Sequence, residues 1–364
     1  MEIRGGLQAC ARQGSDRFSL GFRAGIDFEG IPRPFAYEIV VRSVPSPRIV
    51  AETLSLTDEN RFIFSASESD QSADLLDVQY DNFERGPHKP KVTVTGNRSV
   101  LSQYPVFAVK NRKRDACTAA VQEIQAHLPR SFVFDPSPKL MRSYERIGNR
   151  TLSRDGANLS AVLYALQQGT AKEQEALGRI LASIQQIPEE PYSGFRFVTT
   201  DLNDVIFGLV RSSDGALVDA RVLSDGTLRI LAVLTAMETA GPASRVVIEE
   251  LDNGLHPSRV RILTTAIEEV CARRELNVLA TTHNPATLDS LSPKQLNGVQ
   301  VCFWDQAVNA TRLVGLTEMP RADELLERGR LGDLVTRRVL EQYLSPKMEE
   351  ERRRKFAEWL ESLS

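Results

Sequence analysis

Paired cysteines, charge of one predominant sign and long apolar runs are all missing from this chain of 364 residues. Its four cysteines, Cys10, Cys117, Cys271 and Cys302, are scattered and form no C-x-x-C pair, which leaves them as small core residues or free thiols in a reducing compartment. A formal net charge of −3 creates no strong global field, so charge argues neither for nor against a nucleic-acid partner. The amino terminus is charged from its second residue and has no apolar h-region, and the longest apolar run, near Ile230–Met237, is far too short to span a bilayer. A soluble cytoplasmic protein with no membrane partner is the expectation. No internal repeat and no sustained heptad pattern is present, and His88 and His127 have no metal-ligand neighbours in sequence. What is present, 41% hydrophobic and 26% charged residues, suffices for a sizeable core in one large or two ordinary domains.

The chain changes texture along its length. From Phe18 to about Phe107 short β-like runs (FSLGF, FAYEIVVRS, RIVAETLSL, RFIFSAS, KVTVTG) alternate with turns and predict an antiparallel meander. From Lys110 to about Ile187 apolar residues recur at helical spacing: Ala119, Val121, Ile124 and Leu128, then Leu159, Val162, Leu163 and Leu166, then Leu177, Ile180, Leu181 and Ile184. Strands return with FRFVTT, DVIFGLV and ALVDARV, the last two joined by a turn at Ser212–Gly215. Helices then alternate with strands up to a final strand at Val299–Trp304, a pattern that predicts a parallel sheet with right-handed crossovers. A charged, helical tail follows from Arg321.

Three short segments carry the chemistry. In RVVIEELDNGLHP, Arg245–Pro257, an apolar strand delivers Glu249 and Glu250 and passes through Leu251-Asp252-Asn253-Gly254 into a helix at Pro257. Paired acids at the carboxyl end of a parallel strand can serve a hydrated Mg²⁺ and an attacking water. Upstream, RVLSDGTLRI places Ser224 as a helix cap and Gly226 where backbone can approach a phosphate. Downstream, NVLATTHN is a strand that ends in His283. Ser224 precedes Glu249 by 25 residues, and Glu250 precedes His283 by 33.

In this order and spacing, residues from about Asp201 to Leu291 resemble the carboxyl-terminal half of the ATPase core shared by ABC transporters, SMC and RecF proteins, and bacterial AAA-type ATPases with an E-N-G-L-H-P-like motif. The resemblance implies an α/β fold: an ABC/SMC-like P-loop ATPase core with a parallel sheet and flanking helices, an antiparallel β lobe and a helical insertion. It implies four regions: the remainder of an amino-terminal lobe (1–108), a helical insertion (109–190), an ATPase half (191–320) and charged carboxyl-terminal helices (321–364). It further implies ATP and Mg²⁺ as cofactors. Glu249 takes the Mg²⁺-side Walker B position, Glu250 the water-activating glutamate, and His283 the switch histidine. Ser224, Asp225 and Gly226 take the signature loop, and Asp252, Asn253 and His256 the D-loop. The resemblance also implies a homodimer that closes on ATP, with a nucleic-acid or effector (nuclease or toxin) partner, in DNA repair or phage defence.

No G-x-x-x-x-G-K-[ST] occurs in the 364 residues, so the phosphate-cradling loop is expected ahead of Met1 or on another chain, and these residues alone are expected to turn over ATP weakly or not at all. Two alternatives stand beside this reading. One is a non-hydrolysing scaffold that keeps the ATPase fold. The other, less favoured, is a metal-dependent nuclease built on Glu249, Glu250, Asp252, His256 and His283. The basic cluster Lys110–Arg114 reads as a solvated helix start, and a last helix carrying Phe356, Trp359, Leu360 and Leu363 reads as docking on its own core or on a partner.

Overall fold

The computed structural model describes residues 6–86, 88–128, 131–187, 191–242, 244–306, 308–319 and 321–344. The chain forms two compact units that meet in sequence between residues 130 and 131. In the first, β1 (Arg17–Phe28), β2 (Ile31–Arg42), β3 (Arg48–Leu56), β4 (Arg61–Ser69), β5 (Ser72–Tyr80) and β6 (Lys91–Thr95) pair antiparallel in chain order. This is the meander the sequence predicts, lengthened by β5, whose SADLLDVQY opens on polar residues and so carries a weak strand signal. Helices α1 (Val100–Phe107) and α2 (Arg114–His127) pack Leu101, Tyr104, Val121 and Ile124 against Phe35, Leu54, Phe64 and Val78 of the sheet.

One buried carboxylate organises this packing. The side chain of Ser99 does not cap α1. Glu52, 1% exposed, does so from β3: Oε2 accepts from Val100 N at 2.7 Å, and Oε1 from Leu101 N and Ser99 Oγ at 2.8 Å and Tyr37 Oη at 3.0 Å. A negative charge at a helix amino end is favourable.

The second unit is built around a parallel sheet of β7 (Ser131–Phe134), β12 (Arg245–Ile248) and β13 (Asn277–Ala280), with β12 in the centre. Between the first two of these come β8 (Glu145–Arg146), α3 (Leu159–Gln167), α4 (Ala171–Ile184), β9 (Tyr192–Thr199), β10 (Asp204–Arg211), β11 (Leu217–Asp219) and α5 (Asp225–Thr239). Strand β10 pairs antiparallel with β8, β9 and β11, and the turn at 212–215 leads from β10 to β11 as expected. The helical stretch of the sequence is shared: α2 belongs to the first unit, α3 and α4 to the second, with β7 and β8 between them.

Helix α5 is buried at every position from Gly226 to Glu238, as a helix that is apolar nearly all round must be. Helix α6 (Pro257–Arg274) crosses from β12 to β13, and Pro257 at its first turn suits the fixed φ of proline. Short helices α7 (Pro285–Asp289) and α8 (Pro293–Leu296) follow.

The expected final strand of the parallel series departs from that plan. It forms β14 (Gln300–Asp305), which pairs antiparallel with β15 (Ala310–Gly315) in a separate hairpin. The link of residues 306–309 is far too short for a parallel crossover, and Asn309 takes a left-handed φ of 49°. Tail helices α9 (Ala322–Glu327), α10 (Leu331–Thr336) and α11 (Val339–Leu344) pack Leu325, Leu331 and Leu334 with Val301 and Val314 of this hairpin. The helix expected around Phe356–Leu363 lies outside the described residues. Among the described residues no helix is long and apolar enough to cross a membrane.

Candidate functional site

Ile248, the last residue of β12, is in register with Ala280 of β13 and Phe134 of β7. The chain therefore leaves all three strands at one edge, so Asp135, Glu249–Glu250 and Thr281–His283 follow the carboxyl ends of adjacent parallel strands, the end at which such sheets bind ligands. Glu249 still donates its N–H to Phe134 O at 3.0 Å. Glu250 then turns out of the ladder with φ 45°, and its N–H donates to Thr281 Oγ1 at 2.9 Å. A non-glycine residue in the left-handed region is strained and must be held by its surroundings. Here Asn253 N donates to Glu250 O at 3.0 Å, Leu251 N to Thr281 O at 3.0 Å, and Asn253 Nδ2 to Glu250 Oε2 at 3.0 Å. The Glu250 side chain is exposed, while that of Glu249 is 39% exposed and stands 3.3 Å from Arg154 Nη2.

Asp252 faces the opposite way. Only 4% exposed, it accepts on Oδ2 from Thr282 Oγ1 at 2.7 Å and from Thr287 Oγ1. These bonds fasten the segment that carries the exposed His283 to the acidic turn, and Asn284 caps α7 by accepting from Ala286 N at 3.0 Å.

Ser224, Asp225 and Gly226 assemble with the turn that follows the acids. Ser224 caps α5 by accepting from Thr227 N at 3.1 Å, and Arg259 Nη1 donates to Ser224 Oγ at 3.2 Å. His256 caps α6, with Nδ1 accepting from Ser258 N at 3.3 Å. Gly226 packs closely on the turn: a Cβ there would lie 3.2 Å from Leu255 Cδ2 and 3.4 Å from Gly254 O. Ser224, Asp225, Gly226, Gly254, His256 and Arg259 line one cavity of about 350 Å³. The amino ends of α5 and α6 both open onto it, a combination that favours anions. Arg142 braces this corner, donating to Asp225 Oδ1 at 2.6 Å and to Leu223 O at 2.8 Å. The structure thus gathers the candidates into two groups. Glu249, Glu250 and His283 lie at the sheet edge, and Ser224, Asp225, Gly226 and His256 line the cavity, while Asn253 bonds Glu250 and Asp252 is turned inward.

Among the contributors that escaped the sequence reading are Thr281, Arg142, Arg154, Arg229 and Arg259. Arg229, 4% exposed on α5, donates from Nη1 to Pro136 O at 3.1 Å and from Nη2 to Glu249 O at 3.2 Å and Glu250 O at 2.8 Å. Burial pulls its pKa down, while Asp135, Glu250 and Asp252 oppose that shift. One signal was available, an arginine beside the apolar run Ile230–Leu234 within a single helical stretch. Among the described residues no group of three or more His, Cys, Asp and Glu side chains could hold a metal ion, so the five nuclease candidates do not converge.

Residues 123–289 match the family model described as "AAA domain, putative AbiEii toxin, Type IV TA system". Over this segment, a little under half of the chain, the protein is similar to that AAA family. No curated protein matches. Solved structures to which the chain is similar include three SMC heads. One, bound to the C-winged helix domain of ScpA, is 10% identical with TM-score 0.34, covering 79% of this chain and 76% of that one. The head domain from Thermotoga maritima is 8% identical with TM-score 0.33, covering 79% and 77%. The Pyrococcus furiosus head, with an extended coiled coil and bound to the C-terminal domain of ScpA, is 9% identical with TM-score 0.33, covering 83% and 82%.

Proposed function

We propose that this ATPase region hydrolyses ATP with Mg²⁺ in a composite site shared by two copies of the chain, and that closure and opening of that dimer act on a nucleic acid or an effector protein. The observation that carries the reading is the placement of Glu249 and Glu250 at the tip of the central parallel strand, with Glu250 turned out of the ladder and exposed. The donor set fits: two adjacent carboxylates, one half-exposed and one exposed, suit a hydrated divalent ion and a water.

Bound ATP and Mg²⁺ supply the phosphoanhydride bond and the charge that neutralises its oxygens. Glu249 would hold the hydrated ion, in exchange for Arg154. Glu250 would orient water and accept its proton, and His283 would donate to the γ-phosphate. Ser224 and Gly226, at the amino end of α5, would face the γ-phosphate of the second copy's site. The phosphate cradle would come from a G-x-x-x-x-G-K-[ST] segment, which residues 1–364 do not contain. A soluble compartment and a role in DNA repair or phage defence suit such a switch.

The test is Mg²⁺-dependent phosphate release by the chain supplied, in frame ahead of Met1, with such a segment. Release that Glu250→Gln abolishes supports the reading. Release that Glu250→Gln leaves untouched overturns it.

A further inference from the structure

Arg229 is an expensive residue for a helix interior. Its guanidinium is buried, its Nε has no hydrogen-bond partner, and its donors go to three main-chain oxygens instead of to a carboxylate. A cation buried this way costs free energy unless its geometry does something that an apolar side chain could not. Two of the three oxygens belong to Glu249 and Glu250, the peptides on either side of the point where the chain leaves β12 for its left-handed turn. The third, Pro136 O, follows β7. A single planar group therefore grips the chain as it leaves two neighbouring strands, from a helix that starts five residues earlier at Ser224.

We propose that Arg229 is a positioning residue that ties the direction of the Glu250 carboxylate to the seating of α5, so that a displacement of the Ser224 end of that helix is felt at Glu250. The geometry is specific to arginine. The fork of Nη1 and Nη2 reaches oxygens on the segments that leave two strands at once, whereas a lysine is a single point donor. Because α5 is one unbroken helix from Asp225 to Thr239, no hinge lies between its Ser224 cap and Arg229, and a shift at the cap would be passed on to the guanidinium. The proposal rests on the reading of Glu250 as the water-activating group, but the coupling itself needs no nucleotide.

The experiment is amide hydrogen exchange on the chain 1–364, comparing wild type, Arg229→Met, Arg229→Lys, Ser224→Ala and the double variants. Methionine keeps the volume without the donors, and lysine keeps one donor and the charge. Arg229→Met is expected to speed exchange of the Glu250, Leu251 and Asn253 amides by about tenfold, with the rest of α5 and the sheet unchanged and Arg229→Lys in between. Ser224→Ala, which loosens the cap, should speed the same three amides several-fold in wild type and have no further effect in Arg229→Met.

Unchanged exchange at residues 250–253 in Arg229→Met would overturn the proposal. So would a Ser224→Ala effect of equal size in both backgrounds. If Arg229→Met fails to fold, Arg229→Lys with and without Ser224→Ala decides by the same comparison. Phosphate release with Glu250→Gln tests the ATPase reading separately, so the two can fail independently.

Discussion

The hydroxyl of Thr281 accepts the main-chain N–H of Glu250 at 2.9 Å, joining the tip of β13 to the residue that turns out of β12. This bond replaces the sheet hydrogen bond that Glu250 gives up on entering the left-handed region, and it holds the turn from the side opposite Arg229. Thr281→Val keeps the shape but leaves that N–H without its acceptor. Because the bond is exposed and water can take the acceptor's place, a loss of about 0.5–1.5 kcal/mol is expected, read as a lower midpoint in urea at unchanged slope. Thr281→Ser, which keeps the oxygen, should recover most of it, and equal losses in the two variants would show that the bond contributes nothing.

Residues 1–364 by themselves should release phosphate from Mg²⁺-ATP slowly or not at all, because a carboxylate without a phosphate cradle has no substrate held in line. Robust turnover that disappears in Glu250→Gln would place a cradle somewhere within these residues.

Ser224 and Glu250 are expected to serve different sites of one dimer. With the cradle supplied, Ser224→Arg and Glu250→Gln chains should each lose activity and regain part of it on mixing, since heterodimers hold one site with both residues intact. Glu250→Gln should also shift toward dimer in saturating ATP on size exclusion. Monomer alone under those conditions would remove the composite site.

The Glu52 carboxylate takes four donors, one on Oε2 and three on Oε1. In Glu52→Gln an amide NH₂ must face at least one of those donors, which is expected to cost roughly 1–3 kcal/mol and lower the thermal midpoint. Burial raises the pKa of Glu52, so the folded state holds its proton more tightly than the unfolded chain. That contribution is complete below the unfolded carboxylate pKa of about 4.3 and fades as pH rises through the raised value; Glu52→Gln should lose this acid-side slope.

Gly332 of α10 lies directly on α7, where a Cβ would stand 2.2 Å from Pro285 O and 2.8 Å from Asp289 Oδ1. Its N–H also donates to Asp289 Oδ1 at 2.7 Å. Gly332→Ala must push the two helices apart, at an expected cost of about 1–3 kcal/mol. Because α7 begins two residues after His283, faster amide exchange at 283–289 should accompany the loss. An alanine variant as stable as wild type would mean that the contact yields freely.

Local order was legible without coordinates wherever periodicity or capping chemistry is local. The period-two runs of β1 to β4, the apolar stripes of α2, α3 and α4, and the Ser224 and Pro257 helix starts are written in neighbouring residues and appear as read. The order of motifs likewise carried the acidic strand and the His283 strand to adjacent positions, because a strand, a helix and a parallel strand can close in few ways. Partnership across long sequence separations was not legible. β7 is four residues inside a helical stretch, and it became a sheet strand only by pairing with β12 more than a hundred residues later. β14 had the apolar content of another parallel strand, and the short link to β15 turned it into a hairpin. The inward carboxylate of Asp252, the hydroxyl of Thr281 and the fork of Arg229 acquire their roles from partners 20 to 93 residues away. Residue type determined that acids, a histidine and a capped helix were available for phosphate chemistry. Only tertiary packing decided which polar groups face solvent and which hold the turn, since an unpaired buried donor or acceptor costs more than any local preference can offset.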